Sequence, residues 1–309
     1  MNILVTGGAG YLGSVMVPRL LDEGHDVVVL DNFMYGQTPL LDVCHHEKFS
    51  VIRGDARDKP LLKKLMVRAD AVFPLACLTG APLCAKDPVG ARSVLLDAVQ
   101  MVLELSSRDQ RIIFPTTNSG YGIGAKDKFC TEETPLQPVS LYGRLKVDAE
   151  KAVLDGGGIT LRLATAFGAS PRMRLDLLVN DFTYRAVYDR FIVLFEAHFR
   201  RNFIHTRDVA GAFVHALGHF DQMKGEPYNV GLSDANLSKM DLCARIREHV
   251  PELYVVEAAV GEDPDKRDYI VSNEKIERTG YRPAVSLSDG IKELVKTYQI
   301  LKRTQFSNI

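Results

Sequence analysis

The feature that most constrains this chain lies at its start. Residues 2–13, Asn-Ile-Leu-Val-Thr-Gly-Gly-Ala-Gly-Tyr-Leu-Gly, run from a short apolar stretch into glycines at 7, 10 and 13. Residues 3–5 read as a buried strand, and residues 11–21 carry apolar side chains at helical spacing. Glycine accepts positive φ and lets backbone N–H groups approach a pyrophosphate at a helix N-terminus. A second apolar run, residues 26–30, ends in Asp31. Gly7, Gly10 and Gly13 alone would say little, because glycine-rich loops are common. Strand, glycine turn, helix, strand and terminal acid together predict a dinucleotide cradle. An acid there accepts hydrogen bonds from both ribose hydroxyls and repels a 2′-phosphate, which selects NAD over NADP.

The alternation continues. Strands are expected at 49–53, 71–75, 111–114 and 159–163, with helices at 59–67, 88–106 and 140–154 between them. Strands alternating with helices predict an α/β fold of the Rossmann type, a doubly wound parallel sheet. Ligands bind such sheets at the carboxyl ends of the strands, where Gly7, Asp31, Ala76 and Thr116-Thr117 all fall. After Thr165 the rhythm loosens. Helices are expected at 176–188, 208–219, 238–249, 273–279 and 287–301, short strands at 191–195, 199–205 and near Asn229, and loops at 169–174 and 261–268. This second half reads as a smaller lobe interleaved with the first. The division is 1–164, with 205–230 returning to it, against 165–204 and 231–309.

Composition excludes several classes. A net charge of −1 leaves no footprint for nucleic acid or an acidic membrane surface. The chain opens directly on strand residues, so no signal peptide is expected, and no apolar run reaches spanning length. Cys44, Cys77, Cys84, Cys130 and Cys243 are scattered without a Cys-x-x-Cys pair, which suits reduced thiols in the cytoplasm. His45-His46 points two ways from one element and reads as surface; no metal site is expected.

Two stretches carry chemistry. The strand at 111–114 leads into Pro115-Thr-Thr-Asn-Ser-Gly-Tyr-Gly122, and Tyr142-Gly-Arg-Leu-Lys146 follows. Tyr142 and Lys146, four apart on a helix, share a face. A phenol ionises near pH ~10, and a nearby ammonium with an oxidised nicotinamide favours the phenolate. Such a tyrosine takes a proton from a sugar hydroxyl as hydride leaves the same carbon. Thr117 is the candidate donor that holds the substrate oxygen.

With these residues the chain becomes recognisable. Residues 6–13, Asp31-Asn32, Gly54-Asp55-Ala56, Leu75-Ala76, Thr116-Thr117-x-x-x-Tyr121-Gly122 and Tyr142-x-x-x-Lys146 resemble the extended short-chain dehydrogenase/reductase family. Within it they resemble the NAD-dependent nucleotide-sugar epimerases and dehydratases, over nearly the whole chain. The resemblance implies NAD as cofactor, lying along Gly7, Gly10, Tyr11, Leu12, Asn32, Leu75, Ala76 and Thr116. It puts Asp31 on the ribose, Asp55 and Ala56 around the adenine, and Lys146 on the nicotinamide ribose, with Thr117 and Tyr142 catalytic. It implies a nucleotide-diphosphate sugar as substrate, bound by the second lobe. Asn180-Asp-Phe, Arg201-Asn-Phe-Ile-His205 with Asp208, and Arg267-Asp268 resemble segments that grip the diphosphate, and Arg172 and Arg174 are further candidates. Thr117, Asn118 and Ser119 would face the sugar.

Departures narrow the reaction. Leu95 and Thr165 stand where many relatives have asparagine, and Asn118-Ser119 stands where 4,6-dehydratases place Asp-Glu. An amide and a hydroxyl cannot supply the acid and base that loss of water across C5–C6 needs, which argues against dehydration. C4 oxidation and 4-epimerisation remain. Residues 77–84, 116–124, 170–181 and 261–268 resemble the GDP-D-glycero-D-manno-heptose 4-dehydrogenases of capsular polysaccharide pathways, which favours oxidation. The family resemblance also implies a homodimer through helices 89–106 and 140–154, with Met101, Val102, Leu103 and Leu105 as an apolar stripe.

Overall fold

The computed structural model describes residues 1–36, 38–125, 127–259 and 267–301. Seven parallel strands form the main sheet: β1 (Asn2–Thr6), β2 (Asp26–Asp31), β3 (Phe49–Arg53), β4 (Ala71–Pro74), β5 (Arg111–Thr117), β6 (Ile159–Leu163) and β7 (Pro227–Val230). Their order is β7-β6-β5-β4-β1-β2-β3. The runs are apolar almost throughout because both faces are covered. Ile3, Val5, Val27, Val29, Phe73 and Ile113 enter one buried cluster, and their neighbours Leu4, Leu30, Val72, Ile112 and Phe114 enter another on the opposite face. Chain order reverses between β1 and β4, and that point opens a crevice at the carboxyl ends of the strands.

Helix Gly13–Asp22 leaves the glycine turn after β1. The helix expected at 140–154 spans Leu141–Asp155, with the Ser140 hydroxyl accepting from the Gly143 N–H at 3.1 Å. The helix expected at 88–106 is helical throughout but not uniform. Ser93–Asp97 is a π-helical segment between Pro88–Arg92 and Ala98–Leu105, and a short helix, Ala81–Lys86, precedes it. Within the expected apolar stripe, Val102 points into the core, while Met101, Leu103 and Leu105 are half-buried.

In the second half, Thr165–Phe167, Arg200–His205 and Asn236–Ser238 make a three-stranded sheet. Phe191–Leu194 pairs in parallel with Tyr254–Glu257, a strand the sequence did not signal. Helix Thr206–Gly218 crosses back onto the main sheet, where Phe213 packs on Phe73 with ring centroids 5.1 Å apart. Ile123, Phe129 and Cys130 pair with Asp268, Ile270 and Val271, and Arg267 and Tyr269 beside them line the crevice. The anticipated loop at 261–268 lies outside the described residues apart from Arg267 and Asp268. The last helix ends at Thr297 rather than 301. Among the described residues no helix is long and apolar enough to cross a membrane, and no group of three or more His, Cys, Asp or Glu could hold a metal.

Candidate active site

The crevice is a cleft with roughly 290 Å³ reachable by water. Gly7 shows why its floor is glycine: its φ is +72°, and a Cβ there would lie 2.5 Å from the Ala76 nitrogen at the end of β4. At Gly13 a Cβ would meet the Gly8 carbonyl at 2.5 Å, so the turn and the first helical residue pack without side chains. No side chain caps the helix that starts there, and its first turn holds no acid. The Ser14, Val15 and Met16 N–H groups bond to the Gly10 and Leu12 carbonyls, while Gly10, Tyr11, Leu12 and Gly13 line the cleft, so a helix N-terminus, the kind of end that suits a pyrophosphate, borders it. Gly10, Leu12, Asn32, Ala56, Leu75 and Thr116 line the cleft as expected.

Several polar groups on this side are more committed than sequence alone suggests. Asp31 accepts from the Ala9 N–H at 2.9 Å and the Phe33 N–H at 2.8 Å, so it builds the cradle while keeping lone pairs for a ribose. Asn32 accepts from the Met34 N–H at 3.1 Å. Asp55 is gripped by Arg57 through two contacts of 2.9 and 2.6 Å, and those hydrogen bonds hold its carboxyl below the usual range. Tyr11 lines the cleft, but its phenol is directed away. It donates to the Gly168 carbonyl at 2.8 Å and accepts from Asn180 at 3.0 Å.

The reactive end lies where β5 and helix Leu141–Asp155 meet. Thr117, Tyr142 and Lys146 all line the cleft there. Lys146 is buried, donates to the Pro115 carbonyl at 2.6 Å and sits 4.3 Å from the centre of the Phe114 ring. Burial pulls its pKa below the ordinary lysine value. Burial also pushes the Tyr142 phenol up, and the nearby Cys77 adds to the rise. The charges that draw it back are the guanidinium groups of Arg174 and Arg267. The largest cationic influence on the phenol in this structure comes from the second half of the chain. Thr117 needs correction. Its hydroxyl donates to Ser119 Oγ at 2.9 Å and accepts from the Ser119 N–H at 3.1 Å, so it offers the cleft a lone pair rather than a proton.

The substrate-side candidates divide. Ser119, Arg172, Arg174 and Arg267 line the cleft. Arg174 is held bidentately by Asp176 at 3.1 and 2.6 Å. Arg172 stacks on Tyr35 at 3.8 Å from the ring centre, and Arg267 donates to Ser119 Oγ. Three candidates lie elsewhere. The Asn180 amide is fully buried and spent on the Gly168 N–H at 3.0 Å, the Tyr11 hydroxyl at 3.0 Å and the Arg174 carbonyl at 2.8 Å. Arg201 is buried behind Tyr269 and donates to the Arg200 carbonyl at 2.9 Å. Asn118 is buried outside the cleft lining, with both amide atoms unpartnered. His205 and Asp208 serve the second half: His205 meets Glu293 at 3.1 Å, and Asp208 accepts from the Ala284 and Val285 N–H groups.

The cleft also has walls the sequence reading passed over. Tyr35, residues 77–81, Ser140, Leu177 and Tyr269 line it. Residues 77–81 directly follow the expected Leu75-Ala76, which was an available signal. Tyr269 gave none, because only the distant pairing of Asp268, Ile270 and Val271 with Ile123, Phe129 and Cys130 puts it there.

Fold and cleft together define a dinucleotide-binding Rossmann protein whose Tyr-Lys pair and hydroxyl stand at one end of the cofactor cradle. Residues 3–231 match the model of the NAD dependent epimerase/dehydratase family, and the chain belongs to that family. Its cofactor is NAD. Among similar curated proteins is the low-salt glycan biosynthesis protein Agl12 of Haloferax volcanii, 30% identical over 96% of this chain and 98% of that one. UDP-glucuronic acid decarboxylase 1 of Arabidopsis thaliana is 26% identical over 97% of this chain and 70% of that protein. Among solved structures, UDP-glucose 4-epimerase of Thermus thermophilus in complex with NAD superposes with a TM-score of 0.83 at 25% identity. That match covers 97% of this chain and 99% of that one.

Proposed function

We propose that this protein uses NAD to oxidise C4 of a nucleotide-activated sugar, the finest form of the reading being GDP-D-glycero-D-manno-heptose, and yields a 4-keto sugar for capsular or surface polysaccharide. The observation that carries it is the meeting of Thr117, Tyr142 and Lys146 on the wall of the cleft that Arg172, Arg174 and Arg267 also line. When bound, NAD supplies the hydride acceptor. Tyr142 takes the O4 proton, Thr117 lines the wall beside it, and Lys146, pinned to the Pro115 carbonyl, fixes the helix face that carries the phenol. Arg174 and Arg267 add positive charge where the alkoxide develops. Along the cofactor, the N–H groups at the start of helix Gly13–Asp22 hold the pyrophosphate, Asp31 the ribose and Asp55 with Ala56 the adenine. The GDP-heptose assignment rests on the sequence resemblance.

4-Epimerisation is the second reading, favoured by the likeness to a UDP-glucose 4-epimerase. It shares every step through the ketone. We also propose the homodimer through helices 88–105 and 141–155, cytoplasmic residence of the reduced cysteines, and the two-lobe division at 164.

The test incubates purified protein and NAD with UDP-, GDP-, CDP- and dTDP-sugars and follows product mass and C4 configuration. Loss of two hydrogens is the expected outcome. Unchanged mass with inverted C4 would select the epimerase, and loss of water would overturn the argument from Asn118-Ser119.

A further inference from the structure

We propose that Tyr35 and Arg172 form a strap across the cofactor half of the cleft, and that NAD enters and leaves when their stack parts. Residues 32–36 follow Asp31 at the end of β2 and make a tight turn, in which the Phe33 carbonyl accepts from the Gly36 N–H at 3.1 Å. Phe33 itself has φ +55°, a conformation that is costly for a bulky residue and persists where neighbours impose it. Here they do. Asp31 accepts from the Phe33 N–H at 2.8 Å, and the Asn32 side chain accepts from the Met34 N–H at 3.1 Å. The turn therefore presents Tyr35 from a fixed base.

Arg172 comes from the other wall. The segment that carries it rests on the helix after the glycine turn. Ser170 Oγ donates to the Tyr11 carbonyl at 2.8 Å and lies 2.8 Å from Ser14 Oγ, and the Arg172 N–H donates to Ser14 Oγ at 3.4 Å. The Arg172 guanidinium carbon lies 3.8 Å from the centre of the Tyr35 ring, and the residue is 2% exposed. Both residues line the same cleft as Gly10, Gly13 and Asp31. Joined, they bridge the stretch between Asp31 and the start of the helix, the part of the cradle suited to a ribose and a pyrophosphate. A cation–π stack shielded from water is stronger than an exposed one, so parting it is uphill and limits exchange. This inference rests on NAD as the cofactor and not on which sugar is oxidised.

The test uses the full chain with NADH as the probe. Association is followed by stopped-flow fluorescence, and dissociation by chasing bound NADH with excess NAD, for wild type, Tyr35→Ala and Tyr35→Phe. Losing a desolvated cation–π stack changes an opening equilibrium by about 3- to 30-fold. Tyr35→Ala should therefore raise both rate constants by about that factor and leave Kd nearly unchanged. Tyr35→Phe keeps a ring for the guanidinium and should exchange NADH at close to the wild-type rates, which guards against a defect of the turn in the alanine variant. Faster dissociation with unchanged association would make Tyr35 an ordinary cofactor contact and overturn the strap. Unchanged rates in Tyr35→Ala, or equal acceleration in Tyr35→Phe, would overturn it too and leave NAD binding standing. Failure of wild type to bind NADH would overturn the strap together with the cradle it closes.

Discussion

Tyr142 carries the chemistry, and its surroundings set the terms. Burial raises its phenol while Arg174 and Arg267, both from the second half of the chain, oppose the rise. Replacing Tyr142 by Phe should keep NAD and sugar binding and lower kcat by about 10²–10⁴, read by steady-state kinetics beside calorimetric titration. At this scale the sequence was legible where function needs a residue type at fixed spacing: Gly7 before a helix, Asp31 after a strand, Tyr142 one turn from Lys146. It was not legible where the same residue type serves two purposes. Asn180 and Arg201 have the chemistry of diphosphate ligands, yet Asn180 is consumed by Tyr11, 169 positions away, and Arg201 lies behind a tyrosine. Spacing along the chain carries no trace of such pairings.

The helix Leu141–Asp155 is held by more than its apolar face. Behind Lys146, Glu150 forms a buried ion pair with Arg162 of β6 at 2.7 Å, and Arg162 also donates to the Tyr121 hydroxyl at 3.0 Å. Tyr121 in turn donates to Asn229 of β7 at 2.7 Å, so one network joins the helix, two strands and the turn that begins at Asn118. Removing one partner of a buried pair strands the other charge, and Glu150→Ala should destabilise the protein by about 3–5 kcal/mol. Glu150→Gln, which keeps an acceptor, should lose less; thermal unfolding of the two variants checks the order. Helix existence was predictable from periodicity. The π segment at 93–97 was not, because nothing in Ser-Val-Leu-Leu-Asp departs from ordinary helical composition.

At the scale of the molecule, the last helix is tied to the rest of the second half by polar contacts. Glu293 on the last helix meets His205, Arg207 and the Ala169 N–H. Burial alone would raise its carboxyl, but the hydrogen bonds from His205 and Arg207 prevail and hold it at about 2. A depressed carboxyl stabilises the fold above its unfolded value near ~4.3, and that contribution, roughly 3 kcal/mol, is lost as pH falls toward about 2. Chemical denaturation of wild type and Glu293→Gln should show a gap near neutrality that closes on acidification. The parallel sheet was predictable because alternation repeats over many elements. The strand Tyr254–Glu257 was not, since it pairs with Phe191–Leu194, some sixty positions earlier.

The contacts of Tyr11 and Ser14 have a consequence for how the chain is made. Tyr11 reaches Gly168 and Ser14 reaches Ser170, partners 157 and 156 positions downstream. At a ribosomal pace of about 5–20 residues per second, the glycine turn emerges roughly 8–30 s before these partners exist. For that interval the side chains of Tyr11 and Ser14, which the finished fold pins down, have nothing to hold them, and the turn reaches its final order only when the later half of the chain arrives.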